Sequence, residues 1–117
     1  MPRPSAPVLK LWGEITDALG PEGSAREVGF GASWDLRDGP RVVARFGAAV
    51  FSIRPSVACE LADHVAGSVR RACTTADARR LASAISSGLR ASAADARRGL
   101  VAQQSAYAAC RGAAGSA

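Results

Sequence analysis

Any chemistry in this chain has to start from very few residues. His64 is the sole histidine, and Glu60 lies one helical turn before it, so a base with an orienting carboxylate is the first arrangement to weigh. Cys59 is the nearest nucleophile. At about 100° per residue it falls about 140° around a helix from His64, and the two side chains diverge. A lone histidine does acid–base work only where other groups converge on it, so His64 reads as a surface residue beside Glu60. Cys59, Cys73 and Cys110 are separated by 14 and 37 residues, which matches no compact zinc spacing. On one helix Cys59 and Cys73 would stand roughly 21 Å apart, beyond disulfide reach. Both read as small core fillers, leaving Cys110, in an open tail, as the thiol that reacts fastest. Gly20-Pro21-Glu22-Gly23 and Gly29-Phe30-Gly31 lack the strand-to-helix setting of a phosphate loop. The second pair of glycines instead suits close approach by another backbone or a partner. No cofactor, metal or catalytic residue is implied, and the chain reads as non-enzymatic.

The other chemical feature is a stripe of cations. Arg79, Arg80, Arg90, Arg97 and Arg98 fall within about 100° of one another on a helical wheel, whereas Leu81, Ile85, Leu89, Ala96, Leu100 and Tyr107 occupy roughly 200–300°. Such a face can neutralise phosphates along a nucleic-acid backbone or dock on an acidic protein surface. No aromatic residue interleaves the arginines, so stacking on single strands is not supported, and nothing resembles a helix-turn-helix or zinc finger. Nucleic-acid binding through this face would therefore be independent of sequence. A solvated face on an arginine-biased background is the competing reading: Lys10 is the only lysine, all other cations being arginine. With abundant Ala, Gly and Pro, that bias suggests a GC-rich genome, as in a bacterium, phage or large DNA virus, rather than selection for bidentate contacts.

The net charge is +5, and it is uneven: residues 55–117 carry eight Arg against four acidic residues, while residues 1–54 carry seven basic against six acidic. The excess favours acidic partners. The chain has 117 residues, enough for one core without metal or disulfide support. Much of its apolar share is alanine, so Trp12, Trp34, Phe30, Phe46 and Phe51 are the expected anchors. There is no signal-peptide pattern and no apolar run long enough to span a membrane.

Several elements must position these residues. Ser5 is placed to cap a helix starting near Pro7, with Val8, Leu11, Trp12, Ile15 and Leu19 at helical spacing and Gly20-Pro21 as the stop. Val28, Phe30, Ala32, Trp34 and Leu36 alternate strictly and predict a half-buried strand needing a cover. Asp38-Gly39-Pro40 predicts a turn, followed by extended segments Arg41–Phe46 and Ala49–Ile53. Gly47 either kinks one long strand, giving a hairpin, or opens a two-residue Gly-Ala turn, giving a three-stranded meander; the meander is preferred. Pro55 ends the sheet, Ser56 caps a helix to about Cys73, and Thr74 with Asp77 opens the striped helix over 76–109. Gly88 and Gly99 on its apolar margin either permit close packing or mark a break near Gly88.

The expected architecture is α+β, a small single domain over residues 1–109: an N-terminal helix, a two- or three-stranded antiparallel sheet, then two C-terminal helices packed on it, with residues 110–117 as a flexible tail. The expected function is that of a small regulatory or inhibitory protein, intracellular and not membrane-bound, acting by protein–protein binding. Its contact surface is the face of Arg79, Arg80, Arg90, Arg97 and Arg98 or an exposed strand edge, if Val28–Leu36 or Arg41–Phe46 forms one. The alternative is sequence-independent nucleic-acid binding by the same arginines. Oligomeric state is open.

Overall fold

In the computed structural model, which describes residues 4–20, 25–72 and 75–99, the N-terminal apolar repeat forms helix α1, Ala6–Leu19. Its repeat buries Val8 and Ile15 completely and turns Leu11, Trp12 and Leu19 onto the core margin. Ser5 occupies the cap position but makes no side-chain cap. Its backbone N–H and hydroxyl both donate to the Glu60 carboxylate, at 2.9 and 3.2 Å. That tie across the chain replaces the local one expected.

The alternating segment forms β1, Val28–Asp35, followed by β2, Gly39–Phe46, and β3, Ala49–Ile53, in an antiparallel sheet of order β1-β2-β3. The preferred meander is therefore the observed one. Phe46 pairs with Ala49 across a two-residue turn, and Gly47 adopts φ 61°, the positive value that the first residue of this turn class requires. The first turn lies earlier than expected, at Leu36–Asp38, with Gly39 and Pro40 already on β2. The cause is Asp35, whose Oδ1 accepts the N–H groups of Arg37 at 2.7 Å and Asp38 at 2.9 Å. An aspartate that folds its side chain onto the next backbone donors starts a turn at once.

Helix α2, Pro55–Ala72, begins at the proline itself, with the Ala58 N–H bonded to the Arg54 carbonyl. Pro55 thus serves as a first-turn residue, where its missing N–H costs nothing, and Ser56 is inside the helix rather than its cap. Helix α3, Ala76–Arg97, is capped one residue later than expected, by Thr75, whose hydroxyl accepts the Ala78 N–H at 3.1 Å. It ends before the expected position as well: Gly99 takes φ 76° just beyond the last turn, the usual use of glycine after a helix. Leu100, Tyr107, Cys110, the expected tail 110–117, Cys73 and Thr74 lie outside the described residues.

Together these elements make a compact α+β single domain with the two C-terminal helices packed against the sheet. Phe46 is its centre: fully buried on the middle strand, it meets Phe30 and Phe51 edge-on at ring-centroid distances of 5.7 and 5.8 Å. Burying such a side chain contributes about 1.5–3 kcal/mol. Val42, Ala44, Ala58, Leu61, Ala62, Val65, Ile85, Leu89 and Ala93 complete the buried cluster. Small residues let α2 and α3 approach closely, and Ser86, buried between them, donates to the Ala62 carbonyl at 3.0 Å. Gly88 does not break α3. A Cβ there would stand 2.1 Å from the Phe30 ring, so glycine is what lets α3 settle on β1. Trp34, expected as a core anchor, is 57% exposed, and Leu36 is 97% exposed: β1 runs past the helical cover, and its apolar face continues into solvent.

Candidate functional site

The residues singled out for acid–base chemistry are not brought together. Glu60 is occupied by Ser5. His64, half-buried, faces Trp12 edge-on at 6.4 Å, and Cys59 packs at the margin of the core. Among the described residues no three His, Cys, Asp or Glu side chains are grouped to hold a metal ion, and no helix is long and apolar enough to cross a membrane. The described residues form surface grooves, among them two of moderate size. One, of about 480 Å³, runs between α1 and β3 past Lys10, Glu14, Phe51, Arg54 and Val57; the other, of about 360 Å³, is walled by Trp12, Leu19, Leu81, Ala82 and Ile85.

The arginine stripe is carried on the solvent side of α3, as its spacing requires, and all five side chains are exposed. Among the described pairs, Arg80 pairs with Asp77, Arg98 with Asp95 at 2.6 Å, and Arg90 reaches across to Asp63 of α2 at 2.6 Å. Exposed pairs of this kind contribute at most about 1 kcal/mol each, yet they change what the face presents. A phosphate approaching it meets carboxylates interleaved with the guanidinium groups.

The turn at the open end of the sheet is different in character. Trp34 near the end of β1 and Leu36 on the turn that follows are both exposed there, and the turn is held by the two bonds to Asp35. Those donors, Asp38 N–H before Arg37 N–H, hold the Asp35 carboxyl below its usual 3.8, with the Arg41 charge adding a smaller pull in the same direction. Leu9 and Val50 are also exposed, but as single residues on other elements, which is ordinary for a protein surface. Sequence periodicity identifies Trp34 and Leu36 as apolar; their exposure follows from β1 running past the helical cover.

Among the described residues the sheet has two edge strands, β1 and β3. Arg41–Phe46 lies in the middle strand, so of the two segments considered for strand addition only Val28–Asp35 is an edge. The Gly47 N–H donates to the Glu27 carbonyl at 2.8 Å, which sets the alternation of the β1–β2 ladder. Gly29, Gly31 and Ser33 then bond inward to β2, and the backbone groups of Val28, Phe30, Ala32 and Trp34 point outward. Pro40, which lacks an N–H, fits opposite Trp34. The β3 edge is shorter, and there the Arg41 guanidinium reaches across to donate to both the Ser52 hydroxyl and the Ser52 carbonyl, each at 2.9 Å.

No protein-family model, curated protein or solved structure matches this chain.

Proposed function

We propose that this protein is a small non-enzymatic regulatory or inhibitory module that acts by binding another protein through the turn at Trp34 and Leu36. The observation that carries the reading is an exposed indole near the end of β1 and an exposed leucine on the adjoining turn, whose backbone is already fixed by Asp35. Tryptophan is the side chain most enriched among residues that dominate binding energy, and a rigid turn loses little conformational entropy when it docks. The fitting partner offers an apolar recess with polar groups at its rim. Full-length tagged protein and a Trp34→Ala/Leu36→Ala variant, compared in chemical cross-linking and capture from the source cells, test this directly. The variant should melt at the wild-type temperature and lose the captured partner; capture of the same partner by both would sink the proposal.

A second reading rests on the common exposure of Arg79, Arg80, Arg90, Arg97 and Arg98 on α3: sequence-independent contact with nucleic acid. It requires affinity that falls steeply with salt as counterions are released, and loss of that affinity when Arg79, Arg90 and Arg97 are reversed. The interleaved aspartates weigh against it.

A further inference from the structure

We infer that the open edge of β1 and the adjoining flank of α3 form a self-complementary surface, and that its partner is a second copy of this chain. On β1, four outward-pointing backbone positions, Val28, Phe30, Ala32 and Trp34, have no paired strand among the described residues. The outer face beside them is Gly29, Gly31 and Ser33, with the Arg45 guanidinium of β2 lying over Gly29, and β1 itself has no lysine, proline or bulge of the kind that blocks pairing. Antiparallel pairing of β1 with its own copy about a two-fold axis at Gly31 uses all four positions: Phe30 bonds to Ala32 of the second copy, and Val28 to its Trp34. The turn bearing Leu36 lies beyond the paired stretch.

Helix α3 fixes why the occupant is a second copy rather than an unrelated strand. It packs across β1 and β2, so its axis lies about one strand spacing from a dyad at the β1 edge. With strands roughly 4.8 Å apart, the two α3 helices then run antiparallel at about 9–10 Å, which is helix-packing distance. The flank of α3 that meets this axis is the one turned away from α2, since Ser86 and Arg90 occupy the α2 side. At about 100° per residue that flank carries Asp77, Arg80, Ala84, Gly88, Ala91, Asp95 and Arg98, none of them buried.

Its pattern is symmetric with charge reversed. About a midpoint between Ser87 and Gly88, Asp77 maps onto Arg98 of the second copy, Arg80 onto its Asp95, and Ala84 onto its Ala91. Small residues sit at the crossing and opposite charges meet at both ends. Gly88 also lies against Phe30, so the midpoint of α3 and the midpoint of β1 fall on one axis. Strand and helix thus specify the same dyad independently, and the result is a continuous six-stranded sheet with the α3 pair above it.

Sedimentation equilibrium of the full chain at about 0.15 M salt, where charges are screened beyond roughly 8 Å, is the test. The wild type should sediment at twice its 12.0 kDa chain mass. The Asp77→Arg/Arg80→Asp variant keeps the pair within the helix but sets like charges against the second copy, and should raise the dissociation constant about tenfold or more. Adding Asp95→Arg/Arg98→Asp restores complementarity and should bring the constant back to within about threefold. Should the half-swapped chain lose its helical circular dichroism, Ala91→Arg at an exposed position supplies the block instead. A wild type that stays monomeric up to about 1 mM, where only associations weaker than about 4 kcal/mol escape notice, overturns the proposal. So does a folded half-swap with unchanged affinity, or a folded full swap that fails to recover it.

Discussion

The two edges of the sheet are built from the same meander and protected in opposite ways. At β3 the strand is short, Arg41 covers an edge carbonyl, and α1 stands alongside across a groove. At β1 the strand is eight residues long, its own outer-face side chains are small, the Arg45 guanidinium from β2 lies over Gly29, and α3 covers its other face. The difference teaches where a small α+β protein keeps its options. An edge guarded by a side chain is closed to other chains, whereas an edge guarded only on its faces still offers its backbone.

The largest effect on this contrast should come from Gly88→Ala. The added methyl collides with the Phe30 ring; overpacking of this kind costs about 1–3 kcal/mol, against about 1 kcal/mol gained in helix propensity. Urea unfolding should report a net loss of stability, and amide exchange should accelerate along β1 more than along β3. Phe30→Leu in the same chain should recover part of the loss, because contacting sites couple. Arg41→Ala should cost less, under about 1 kcal/mol, but uncovers the Ser52 carbonyl. Sedimentation velocity should then reveal species larger than those of the wild type, and an unchanged distribution would assign the closure of that edge to strand length and α1 instead.

The smallest effect is local to the turn. Because the Asp35 carboxyl is held below 3.8, its contribution to turn order is fully present above that pH and is lost as pH falls through the lowered value. Amide exchange at Arg37 and Asp38 should quicken over that acidic range, and Asp35→Asn should remove the step.

Periodicity made most of the fold legible in advance: the three helices, the alternation of β1 and the Gly47 turn follow from spacing that local sterics enforce. The errors cluster where one side chain chose between two nearby backbone solutions. Asp35 starts the turn ahead of Asp38, Thr75 caps α3 one residue later than the expected Thr74, and α2 begins at Pro55 itself rather than after a Ser56 cap. Surface chemistry was harder to read. The stripe of Arg79, Arg80, Arg90, Arg97 and Arg98 was plain on a wheel, but Asp63, which meets Arg90 from another helix, has no sequence signal. Trp34 reads as a core anchor and Leu36 as part of a covered face because alternation identifies a face without saying where its cover ends.

The tie from Ser5 to Glu60 bridges 55 residues, whereas the sheet is a sequential meander and α2 packs against the helix that follows it. Contacts between sequence neighbours close small loops and form early; distant ones wait until the rest of the chain has paid the loop entropy. The assembly order written into this connectivity is therefore meander and the α2–α3 pair first, with α1 joining last.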